Sequence, residues 1–177
     1  MGKTNTFIFD VESISLHGEA FAFAAAVFDQ KGKMIDKMEL VATIPMQSAS
    51  NWVRINVIPA LNMDNTCKTG LELRNAFYEF YQKYKPNSII VADCAFPVET
   101  NFLSAVAADD PDREFEMPYP LYDIANFVSV DVDRAAVVNR PLRKHNPLDD
   151  CIASYYAWRV QMAAQKAGLV NLTSKKS

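Results

Sequence analysis

The chain has few cysteines, no strong excess of charge and no long apolar segment. Its 177 residues include three cysteines, Cys67, Cys94 and Cys151, which lie far apart and form no C-x-x-C pair. This spacing gives no support for a zinc or redox motif, and the odd count indicates a reducing compartment. The longest apolar run, Ala20–Phe28, is far too short to span a bilayer. Because the first residues lead into a predicted strand without a signal peptide, we expect a cytoplasmic protein without membrane association.

The balance of charge and apolar residues limits the size and the partners of the fold. Basic and acidic residues number 18 and 21, which gives a net charge of −3, and both signs are spread along the sequence. Contact with nucleic acid would therefore need a local basic patch. Half of the residues are hydrophobic, and the chain is long enough for one compact α/β domain with a core. It is short for two domains. We predict one domain over residues 1–177, with a core from about 5 to 168 and a polar tail at 169–177.

Alternating and helical patterns of apolar residues predict an α/β chain. The alanine-rich second segment would also suit a helix, and the pattern alone leaves this open. Segment 119–128 is either a strand or a helix start, and 129–144 has no clear assignment. Residues 45–69 contain a short helix interrupted at Pro59, and 108–118 form a polar loop. The predicted strands are 5–12, 19–29, 34–42 and 88–93, the first three antiparallel and the last added in parallel, and the other predicted helices are 69–84, 98–107 and 147–167.

Two carboxylates end the first predicted strand. Asp10 and Glu12 are two residues apart, so their side chains lie on the same face of the strand. Two carboxylates on one face of a largely buried strand repel each other and are costly to desolvate, which a hard cation such as Mg²⁺ relieves. Alone, such a pair is more often a strand end whose charges reach solvent. A metal site therefore needs partner carboxylates and a base elsewhere in the chain.

A second polar group surrounds the start of the last predicted helix. Pro147 suits the first helical position, which makes Asn146 the N-cap. Asp149 follows in the first turn, where it can bond back to the cap and meet the positive end of the helix dipole. Asp150 lies one residue further on, on a different face, and His145 precedes the cap. Each residue has a simple structural explanation, but a histidine and several carboxylates at strand ends and helix starts together indicate a two-metal phosphoryl-transfer site.

Three segments resemble the motifs of the DEDDh 3′→5′ exonucleases. They are Phe9-Asp-Val-Glu12, residues 91–103 and His145-Asn-Pro-Leu-Asp-Asp150, and the order of elements from about residue 5 to 165 is also similar. The family includes the proofreading subunit of bacterial DNA polymerase III, ribonuclease T and oligoribonuclease. The resemblance implies an α/β, ribonuclease-H-like fold. Its mixed five-stranded sheet has three antiparallel strands, then parallel additions, and is flanked by helices.

The same resemblance implies a function. Members of the family use two Mg²⁺ or Mn²⁺ ions to release nucleoside monophosphates from the 3′ ends of single-stranded RNA or DNA. Many are homodimers, so a homodimer is a further expectation. Matched by motif, Asp10 and Glu12 would hold the metals, with Asp10 bridging them. His145 would be the general base, and Asp150, rather than Asp149, the last metal ligand.

The middle motif departs from the family pattern, in which Asn-Ala-x-Phe-Asp precedes Phe-Leu. Here Glu99 occupies the place of the carboxylate and Asp93 falls near that of the asparagine, so both remain candidates for the metal site. This departure suggests a divergent branch, nearer to small bacterial or phage exoribonuclease-like proteins than to polymerase subunits. It also supports a rival, a degenerate module of the same fold that binds nucleic acid or a protein partner without cleaving. A second rival is a two-metal phosphoesterase that acts on small nucleotides.

Basic and aromatic residues near these motifs are candidates for substrate binding. The phosphate-binding candidates are Arg140, Arg143 and Lys144. Phe96 or Trp52 would stack on a base, although packing in the core is an equally good role for these two rings.

Overall fold

The computed structural model describes residues 5–126 and 142–166. The predicted tail at 169–177 and Arg140 lie outside the described residues. Within the described part, no helix combines the length and the apolar character that crossing a lipid bilayer requires.

Five strands form one mixed sheet in the order β3-β2-β1-β4-β5. Pairing is antiparallel between β1 and β2 and between β2 and β3, and parallel between β1 and β4 and between β4 and β5. This confirms the predicted α/β class and the mixed sheet with the fourth strand added in parallel; the structure places that strand beside the first. The strands are β1 (Asn5–Ser13), β2 (Ala20–Phe28), β3 (Met34–Val41), β4 (Ser88–Ala92) and β5 (Tyr122–Asp123).

Helices cover both faces of the sheet. The α-helices are α1 (Asn51–Asn56), α2 (Gly70–Tyr84), α3 (Thr100–Ala108) and α4 (Pro147–Lys166). Shorter turns of 3₁₀-helix lie at Ile58–Ala60, Lys85–Asn87, Pro111–Glu116 and Ile124–Asn126. The predicted polar loop at 108–118 therefore contains a helical turn, and segment 119–128 supplies a two-residue strand followed by another turn. The first turns of α1 and α2 are capped by the hydroxyls of Ser50 and Thr69, which accept hydrogen bonds from backbone N–H groups.

The two faces of β1 pack against different helices. Phe7 and Phe9 are buried in the cluster under α2 and α3, whereas Ile8 is buried with residues of α4. Since side chains alternate along a strand, Asp10 and Glu12 share the face of Ile8. The first carboxylate pair therefore lies between the sheet and α4. The neighbouring strand β2 is buried almost throughout, and its pairing with both β1 and β3 decides in favour of a strand for the alanine-rich segment.

The helix predicted at 98–107 begins later than its pattern indicates. Residues Ala95–Glu99 form a single π-helical turn, and α3 follows from Thr100. Within that turn Phe96 has an extended backbone, as expected for a residue that precedes proline. Glu99 consequently lies at the junction between the π turn and α3, close to the predicted helix N-terminus.

Candidate functional site

The start of α4 is tied to the edge of the sheet through Asn146. This side chain is fully buried, and its Oδ1 accepts a hydrogen bond from the backbone N–H of Asp149 at 3.1 Å. Its Nδ2 donates to Glu39 Oε1 on β3 at 3.2 Å and to the backbone oxygen of Ala60 at 3.0 Å. Glu39 also accepts a hydrogen bond from the Asn62 side chain. The predicted N-cap is confirmed, and the cap also fixes α4 to β3.

His145 is held beside this cap in an unusual backbone conformation. Its φ is +63°, in the left-handed region that few residues other than glycine adopt. Its backbone N–H donates to Asp150 Oδ2 at 2.9 Å. The imidazole meets the Trp52 ring edge-on, with the ring centroids 4.9 Å apart. The backbone bond and the ring contact together restrain the imidazole near the carboxylate of Asp150.

Three side chains from the first and last motifs meet at the end of β1. One ligand atom from each of Glu12, His145 and Asp150 can be chosen so that all three lie within 4.8 Å of one another. Asp150 is buried and the other two are half-buried. Asp10 is buried on the same face of β1 and is not one of the three. It lies close enough to Cys151 for its charge to contribute to raising the pKa of that buried thiol, though burial contributes more.

Two carboxyl groups at this end of the sheet, those of Glu12 and Glu99, resist ionisation. Burial raises the pKa of Glu12 to about 8, and the charges of Asp150 and Glu99 act in the same direction. Burial likewise raises the pKa of Glu99 to about 8. Hydrogen bonds to the backbone of Glu99 and Val11 act in the lowering direction, and the charge of Asp123 in the raising one. A cation among these groups would favour their charged forms. The site therefore combines oxygen ligands with a negative charge that a cation would stabilise.

The two candidates from the middle motif have different surroundings. Glu99 is buried and close enough to Glu12 for the two charges to interact. Asp93 is also buried, and its Oδ1 accepts a hydrogen bond of 2.5 Å from the Ser154 hydroxyl of α4. Neither residue belongs to the group of three. The charge of Glu99 acts on Glu12, which is a member of that group.

One further carboxylate near the site was not predicted. Asp123 ends β5, where it pairs with Ala92 of β4. Burial is the main cause of the raised pKa values of Glu99 and Cys94, and the charge of Asp123 adds to both. Its Oδ1 accepts a hydrogen bond from the Ala125 N–H, so capping of the following turn explains its presence. A carboxylate at the end of an apolar segment was the available signal. It was missed because segment 119–128 could not be assigned as a strand.

The surface candidates also have different surroundings. Arg143 is exposed and donates from its backbone N–H and Nε to Asp149 Oδ2, both at 3.1 Å. The carboxylate of Asp149 therefore bonds to the preceding loop, whereas its backbone N–H donates to the cap residue Asn146. Lys144 is exposed beside His145. Phe96 and Trp52 are 70% and 56% exposed, so neither ring packs in the core.

No model of a known protein family matches the chain, and no curated protein matches it in sequence. The family resemblance thus depends on the three motifs and the order of elements, and it stays a prediction.

Proposed function

We propose that the protein is a metal-dependent 3′→5′ exonuclease that releases nucleoside monophosphates from single-stranded nucleic acid, with a ribonuclease-H-like fold. One observation carries the proposal: residues from the first and last motifs, 133 or more positions apart, meet as Glu12, His145 and Asp150 within 4.8 Å. The mixed sheet, with β1 at its centre between an antiparallel and a parallel neighbour, is consistent with that fold.

The donor groups fit two Mg²⁺ or Mn²⁺ ions. Asp10, Glu12, Glu99 and Asp150 offer oxygen ligands, the kind that these ions prefer, and Asp93 is an alternative to Glu99. Three of the four are less than a tenth exposed, so their negative charge is poorly solvated without a cation. Such ions, when bound, polarise the phosphodiester and lower the pKa of a bound water.

The protein side chains would divide the remaining work. Neutral His145 accepts the proton of the attacking water; its backbone bond to Asp150 holds the residue beside the site, and its ring packs edge-on against Trp52. Lys144 and Arg143, both exposed next to the site, neutralise phosphates of the bound strand. The exposed rings of Trp52 and Phe96 offer stacking surfaces for the terminal bases.

A digestion assay tests the proposal. Single strands of RNA and of DNA, labelled at the 5′ or the 3′ end, are incubated with the protein in Mn²⁺ or in EDTA. We expect the 5′ label to appear on a ladder that shortens from the 3′ end, and the 3′ label to appear at once as a mononucleotide, in Mn²⁺ only. Absence of product with every strand, or equal cleavage in EDTA, would contradict the proposal.

The substitution in the middle motif favours one alternative, a module that binds nucleic acid or a protein partner without cleaving it. Glutamate is longer than aspartate by one methylene, which changes the reach of the carboxylate at position 99. A non-cleaving module would bind a 3′ end with equal affinity in Mg²⁺ and in EDTA and yield no product. A nuclease with a displaced ligand would remain active, with its rate rising with metal concentration.

A further inference from the structure

The imidazole of His145 is close enough to two carboxylates to share an ion with them. Bonds from nitrogen or oxygen to Zn²⁺ are about 2.0–2.2 Å, so two ligand atoms on opposite sides of one ion are about 4.2 Å apart. The ligand atoms of Glu12, His145 and Asp150 already lie within 4.8 Å of one another. The three can therefore close onto one ion with small side-chain movements. A base that acts on metal-bound water stands further off, with the water between it and the ion.

The position of His145 does not depend on an ion. Its backbone N–H is bonded to Asp150, its ring meets Trp52, and the next residue, Asn146, is bonded to Glu39 and Ala60. The contacts with Trp52, Glu39 and Ala60 come from α1, β3 and the turn after α1, outside the carboxylate group. A ligand that is held in place before the ion arrives loses less conformational freedom on binding, which favours affinity.

The chemistry of the three donors separates metal ions into two classes. Mg²⁺ prefers oxygen ligands and keeps several of its waters, so it has little use for the imidazole. Zn²⁺ binds imidazole nitrogen and carboxylate oxygen well, commonly with four ligands in total. A Zn²⁺ ion can therefore use all three side chains, whereas Mg²⁺ uses the carboxylates and leaves the imidazole nitrogen available.

We propose that Glu12, His145 and Asp150 form a Zn²⁺ site in which His145 is a direct ligand, and that Zn²⁺ bound there inhibits hydrolysis. A nitrogen whose lone pair is donated to the ion cannot accept a proton from water, so the same residue cannot be ligand and base at once. Inhibition rests on the proposed nuclease function, whereas binding does not. The site would thus respond to the competition between Zn²⁺ and Mg²⁺.

Calorimetric titration of the metal-free protein with Zn²⁺ and with Mg²⁺ tests the binding. His145→Ala should weaken Zn²⁺ at least tenfold and Mg²⁺ less than threefold. His17→Ala is the matched control, since His17 is the other histidine of the chain and is exposed, and it should change neither affinity. Glu12→Gln should weaken both ions. Circular dichroism confirms that each variant is folded. Equal Zn²⁺ affinity in His145→Ala and the wild type would overturn the site.

Spectroscopy and activity provide two independent readouts. Co²⁺ in place of Zn²⁺ should give visible absorption bands that change in His145→Ala and not in His17→Ala; bands that stay the same in His145→Ala would overturn the direct ligation. In the assay with Mg²⁺, Zn²⁺ should reduce turnover over the concentration range of its measured dissociation constant. Zn²⁺ that supports turnover as well as Mg²⁺ does would overturn the inhibition. A protein without activity in both Mg²⁺ and Mn²⁺ would contradict the nuclease proposal, while the titration would still decide the Zn²⁺ site.

Discussion

The two ends of the candidate site are built in different ways. At the α4 end, the buried cap Asn146 makes hydrogen bonds through both its side-chain nitrogen and its side-chain oxygen. These bonds cap the helix and join its start to β3 and to the turn after α1. At the β4 end, Asp93 precedes a π-helical turn and Glu99 is its last residue, where the charge of Glu99 acts on Glu12. Where the helix start is capped, hydrogen bonds between residues close in sequence hold the adjacent residues in place. The direction of a side chain next to an irregular turn depends on contacts from elsewhere.

The largest effect is expected at the α4 end, from Asp150→Asn. The change keeps an oxygen that can accept the His145 N–H but removes a charged metal ligand, so turnover should fall about 10³-fold or more. Asp149→Asn is the matched control one residue earlier, because Asp149 bonds to Arg143 and not to the group of three. It should change turnover less than about threefold, as expected for loss of one exposed ion pair. Equal losses in both variants would contradict the choice of Asp150.

At the β4 end, a pair of isosteric changes decides between the two carboxylates. Glu99→Gln removes the charge that acts on Glu12 and should lower turnover about 10²-fold with weaker binding of Mg²⁺. Asp93→Asn keeps an oxygen that can accept the bond from the Ser154 hydroxyl, so its effect on turnover should stay below about tenfold. Steady-state kinetics and Mg²⁺ titration measure both. The reverse order of effects would make Asp93 the ligand.

The features that the sequence could predict are those set by residues close in sequence, and the features it could not predict are those set by distant contacts. The same-face pair on β1 and the cap at Asn146 depend on residues within a few positions, so strand alternation and helix-start rules were sufficient. The bond from Asn146 to Glu39 joins positions 107 apart and leaves no local signal. Asp123 approaches Glu99 only because β5 lies next to β4 in the sheet, and strand order is not contained in a periodic pattern. The choice between Asp93 and Glu99 stayed open for a similar reason, since the π turn redirects the side chains that follow Pro97.

The bond between the cap and the edge strand should affect both stability and turnover, to a smaller degree. Asn146→Ala removes the cap and leaves Glu39 and the oxygen of Ala60 without this donor, so the free energy of unfolding should fall by about 1–3 kcal/mol. Turnover should fall about tenfold, because His145 is the adjacent residue. Urea unfolding and kinetics measure the two effects.

Thr69→Ala is the control for this change, since it removes the cap of α2, which is not part of the site. It should cost about 1 kcal/mol of stability and leave turnover unchanged. A loss of turnover in Thr69→Ala as large as in Asn146→Ala would show that the effect of Asn146 is general destabilisation and not the position of His145.

The smallest effect is expected in the pH dependence of stability, which depends on the carboxyl groups of Glu12 and Glu99. Folding raises the pKa values of Glu12 and Glu99 from 4.5 to about 8, so between these values the folded state binds more protons than the unfolded state. Their stabilising contribution is complete below about pH 4.5 and is lost as the pH rises through about 8. In metal-free buffer, the melting temperature should therefore fall between pH 5 and pH 9. The fall should be shallower in Glu12→Gln than in the wild type, and the exposed control Glu114→Gln should follow the wild type.

Because Mg²⁺ binds the charged carboxylates, it should raise the melting temperature more at pH 8 than at pH 5.5. A Mg²⁺ effect that is absent at both values, or larger at pH 5.5, would contradict a metal site at this end of the sheet.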